Sequence, residues 1–96
     1  MFGKKKFKRL NLQGVKSISA GFIVQIEDRF EMSYRDGNHK MKISIDPGVN
    51  LGVSVESMKK WLPPHDNEEI SAMELAKIKS NVREALDFLK IESEFY

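Results

Sequence analysis

Ninety-six residues suffice for one domain with one modest core, and an apolar fraction of 41% beside 31% charged residues excludes wholesale disorder. The absence of cysteine excludes disulfides, thiolate nucleophiles and cysteine-ligated zinc. A net charge of +2 hides an uneven distribution: residues 1–61 carry 12 Lys/Arg against 6 Asp/Glu, whereas residues 62–96 carry 4 against 8. Such asymmetry bears on partners rather than on fold.

Residues 1–13 read as a basic N-terminal arm, with Lys4, Lys5, Lys6, Lys8 and Arg9 interspersed with Phe2 and Phe7. A short strand could occupy its end. No apolar stretch follows these cations, so a secretory signal is not expected, and Phe22-Ile23-Val24 is the longest apolar run, far short of a membrane span. The default expectation is a cytoplasmic protein with no membrane association.

Residues 14–96 read as a single α+β domain. Alternation with period two starts near Val15 and marks strands with one buried face. Phe22, Val24 and Ile26 share one face, as do Phe30, Met32 and Tyr34, then Met41, Ile43 and Ile45, then Leu51, Val53 and Val55. Asp36-Gly37-Asn38 supplies the positive φ of a tight hairpin, and Asp46-Pro47-Gly48 ends the following strand. Only Asp28 and Arg29 separate Glu27 from Phe30. Short links of this kind make antiparallel neighbours, so an antiparallel meander of four to five strands is expected.

After Val55 the period changes. Glu56 to Trp61 could form one or two helical turns, which Pro63-Pro64 forbids from continuing. Ser71-Ala72-Met73-Glu74 has the form of a capping box, and Leu75, Ile78, Val82, Ala85, Leu86 and Leu89 form an apolar stripe behind it. The spacing predicts a helix from Ala72 to about Lys90, with Ile91–Tyr96 as a tail. Packing the helix stripe on the sheet's apolar face gives a two-layer core, with Trp61 sealing one end or, alternatively, standing exposed as an interface anchor.

Little chemistry is on offer. His39 beside a turn and His65 beside the diproline lack a ligand spacing or a nucleophile elbow, and both read as solvated surface side chains. Glu68-Glu69 before a helix start suits the macrodipole better than acid–base work, and no glycine-rich loop opens a helix. No catalytic residue, cofactor or metal is expected, and the chain does not read as an enzyme. The arm could contact phosphates and stack on bases, making a small nucleic-acid-binding module the alternative reading. The acidic C-terminal third and the lack of any RNA- or DNA-binding motif make nucleic acid an unlikely partner.

Gly21-Phe22-Ile23-Val24, the segment Ser57–Pro64 (SMKKWLPP) and the segment Asn67–Ile78 (NEEISAMELAKI), in this order, resemble a family of small bacterial immunity proteins. These belong to polymorphic-toxin and contact-dependent growth-inhibition systems, and the likeness spans roughly residues 15–90. It implies a protein that binds a cognate toxin domain in the cytoplasm of the producing cell and blocks it without chemistry. Many such toxins are nucleases with basic clefts, which an acidic patch would engage. Charge alone, not the resemblance, picks out Asp66, Glu68 and Glu69 at the helix entrance and Glu92, Glu94 and Tyr96 in the tail. The positive overall balance departs from an acidic inhibitor, and the basic arm could instead face an acidic toxin surface.

Overall fold

The structure, a computed structural model, describes residues 7–96. Lys4, Lys5 and Lys6 lie outside the described residues. Seven strands run β1 (Phe7–Asn11), β2 (Gly14–Ser17), β3 (Ile23–Ile26), β4 (Glu31–Asp36), β5 (His39–Asp46), β6 (Leu51–Val53) and β7 (Ser93–Phe95). A 3₁₀ turn (Glu56–Lys59) and the helix α1 (Ala72–Phe88) separate β6 from β7. The strands follow one another across a single curled sheet in chain order, antiparallel except for β6 and β7, which are parallel.

The α+β class and the C-terminal helix agree with the sequence reading, but there are seven strands rather than four to five. The four alternating runs correspond to β3 to β6, and a hairpin of β1 with β2 and a strand in the tail complete the seven. Phe7 holds the first hairpin down, with its ring 5.9 Å from Phe22 and 5.3 Å from Phe88 at the end of α1. The tail becomes a strand because α1 carries the chain back across the sheet. A parallel neighbour requires such a crossover.

Cross-strand register builds the core in rows. Val15, Val24, Tyr34 and Met41 stand side by side, as do Ile26, Met32 and Ile43, and all are buried. The opposite face carries Lys16, Arg35, Lys40 and Lys42 and is exposed at each of them. Phe30 was expected in the buried row. It sits instead in the connection before β4 and is 60% exposed.

Helix α1 begins as its sequence dictates. Ser71 Oγ accepts from the Glu74 backbone N–H, and Glu74 Oε1 accepts from the Ser71 N–H, which satisfies two orphan donors. Ile78, Asn81, Val82, Ala85 and Leu86 form its buried face. The helix ends with Lys90 at φ 63° while Ile91 N–H donates to Leu86 C=O, a Schellman closure with lysine where glycine is usual. Asn81 Nδ2 donates to Tyr34 Oη at 3.0 Å, joining helix to sheet through a buried polar contact.

Candidate functional site

The site lies where the β4–β5 hairpin end meets the connector between the 3₁₀ turn and α1. Asp36-Gly37-Asn38 turns the chain, with Gly37 at φ 63°, and sets Asp36 opposite His39 in register. The connector is tied to the same hairpin because the Leu62 N–H donates to the Lys40 carbonyl at 2.8 Å. From there His65 N–H donates to Leu62 C=O and Glu68 N–H to His65 C=O, so the chain after the cis Pro63-Pro64 bond coils tightly. These backbone bonds bring together residues 26 and 29 positions apart in the chain.

The result is a stacked imidazole pair sharing one carboxylate. The rings of His39 and His65 lie 3.7 Å apart at an interplanar angle of 18°. His39 Nε2 lies 2.8 Å from Glu68 Oε1, and His65 Nδ1 lies 2.8 Å from Glu68 Oε2. The His39 bond, then the His65 bond, hold the Glu68 carboxyl below its ordinary value despite the exposure of the group. The histidines are therefore not the independent solvated side chains that the sequence suggested. They are 31% and 23% exposed, whereas Glu68 is 50% exposed and faces water.

Aromatic rings support this pair from beneath. His39 meets Trp61 edge-on at 5.0 Å, and Trp61 stacks on Tyr34 at 6.4 Å. Trp61 is buried beside the hairpin end, which is the sealing role expected of it. Beside the imidazoles an open groove of about 240 Å³ is lined by Asp36, His39, Trp61 and Glu74. Asp36 also accepts from Tyr34 Oη at 3.4 Å, and Tyr34 is pushed up to about 12 chiefly by its burial. Asp66 and Glu69 are exposed in the same connector, which adds two carboxylates to Asp36, Glu68 and Glu74 beside the exposed Lys40 and Lys60.

The remaining residues singled out by charge lie elsewhere. Glu92, Glu94 and Tyr96 follow the far end of α1, where Glu94 lies in β7 and Tyr96 is held by backbone bonds to Val53 and Val55. Glu92 instead borders a second depression with Pro47, Val49 and Lys90. Lys8 and Arg9 are exposed on β1, at one edge of the sheet. Among the described residues, no helix is long and apolar enough to cross a membrane.

A family model described as immunity protein 74 matches residues 23–96, more than three quarters of the chain. The chain belongs to the immunity protein 74 family. No curated protein and no solved structure matches it. The immunity protein 74 segment contains His39, Trp61, His65, Glu68 and every acidic residue singled out above. It leaves out β1 and β2, and with them Lys8 and Arg9.

Proposed function

We propose that this chain is the inhibitory half of a toxin–immunity pair, binding and neutralising a cognate toxin domain in the cytoplasm of the cell that makes it. The family match over residues 23–96 carries this reading. The inhibitor works by occupying a surface and performs no catalysis. The anionic end formed by Asp36, Asp66, Glu69 and Glu74 around the stacked imidazoles is the contact face, and it suits a toxin with a cationic cleft, such as a nuclease. Opposed charge of this kind speeds association and fixes orientation more than it adds affinity. Buried Trp61 backs that face rather than anchoring the partner.

Co-expression with the toxin-like C-terminal domain encoded next to this chain tests the proposal. Survival is expected with both genes and death with the toxin domain alone. A toxin domain that still kills beside the folded protein, or that is harmless alone, removes the reading.

A further inference from the structure

We propose that His39, His65 and Glu68 form a binding site for one divalent transition-metal ion, with Zn²⁺ the best-matched. Three side chains of the right type converge on one point. His39 Nε2, His65 Nδ1 and a Glu68 oxygen all lie within 4.8 Å of one another. Two imidazole nitrogens and one carboxylate form a donor set that zinc takes readily, leaving a fourth position for water. Such a mixture favours Zn²⁺ over Mg²⁺ or Ca²⁺, which prefer all-oxygen shells.

The surroundings favour a cation. Asp36 and Glu74 line the groove that His39 shares, and Asp66 and Glu69 flank Glu68 in the connector. The cations next to these residues in the chain are Lys40, after His39 on the exposed face of β5, and Lys60, before Trp61, and both are exposed. In the stacked arrangement both ring nitrogens already point at the carboxylate, so an ion takes the place of the protons they share with it. Metal bonds lie in the plane of each imidazole, so the rings must fan apart from their 18° angle when the ion enters. Both are partly exposed and each can turn about its Cβ–Cγ bond. His39 cannot turn without changing its edge contact with Trp61, the only tryptophan in the chain.

That contact supplies the readout. Zn²⁺ and Co²⁺ are titrated into tag-free, chelator-treated protein, following Trp61 fluorescence, the visible absorption of Co²⁺ and binding heat. We expect a saturable change with one ion per chain, reversed by added chelator. Loss of outer-shell partners alone costs about 10–100-fold in metal affinity, so His65→Gln is expected to cost on the order of 100-fold or more. Glu68→Gln is expected to weaken binding as well. His65 and Glu68 lie in the connector, outside sheet and helix, and an unchanged melting curve in metal-free buffer establishes that each variant folds. No saturable binding by the parent, equal binding by His65→Gln, or Mg²⁺ binding as tightly as Zn²⁺ would each overturn the proposal.

Discussion

Replacing Leu86 with alanine probes the seam between the two layers. Leu86 is fully buried on the sheet-facing side of α1, one turn beyond Val82. The substitution removes three carbons, which at about 0.8 kcal/mol per buried methylene gives about 2.4 kcal/mol of lost transfer energy. The cavity left behind adds to this, because neighbours relax only partly, and brings the cost to about 3–4 kcal/mol. In a domain of this size each kcal/mol lowers Tm by about 4–8 °C, so a fall on the order of 15 °C is expected in a thermal melt followed by circular dichroism. Met73, on the outer face of the same helix and 84% exposed, provides the control, and its replacement by alanine should cost no more than about 0.5 kcal/mol. Equal melting temperatures for the two variants would refute the docking of α1 on the sheet.

Three further outcomes follow from named features. Ile78→Asp places an unpaired carboxylate among buried side chains and should abolish the cooperative melt altogether. Lys90→Gly relieves a left-handed backbone at φ 63° and should raise stability by about 1 kcal/mol in a urea titration; a loss would show that the lysine side chain matters more than its backbone. Tyr34 retains its proton in the folded protein up to about pH 12, whereas an unfolded tyrosine loses it near 10. Its contribution to stability is therefore complete below about pH 10 and disappears as the pH rises through 12, so Tyr34→Phe should show a shallower alkaline loss of stability than the parent.

The period-two runs of β4 and β5 and the capped stripe of α1 were legible because each sets buried residues on one face against more exposed ones on the other. β3 and β6 were read from their alternating sequence, although neither has an exposed residue. Register then aligned Val24 with Tyr34 and Met41 as alternation requires. β1 was legible only as a possible short strand at the end of the basic arm, because Lys8, Arg9 and Leu10 are all exposed and its strand has no alternation to read. β7 escaped because its place beside β6 depends on where α1 delivers the chain, which no local pattern in Ser93–Phe95 announces. Phe30 misled because its apolar character continued a pattern that the chain abandons at Asp28, whose Oδ1 accepts from the Phe30 N–H and closes a turn. The histidine pair had no local signal at all. It depends on a long-range backbone bond, Leu62 to Lys40, that lays the connector against the hairpin end, and on the turns His65 to Leu62 and Glu68 to His65 that follow it.

The affinity of the purified chain for its neighbouring toxin domain, measured with and without Asp66→Lys and Glu69→Lys, tests the inhibitory role most directly. Both positions are exposed and neither supplies a ligand to the proposed metal site, and chelator in the buffer keeps their effect on metal binding out of the measurement. A one-to-one complex is expected, with association slowed both by the two charge reversals and by added salt. Absence of a complex would contradict the inhibitory role, and a complex indifferent to both changes would move the contact face away from the connector.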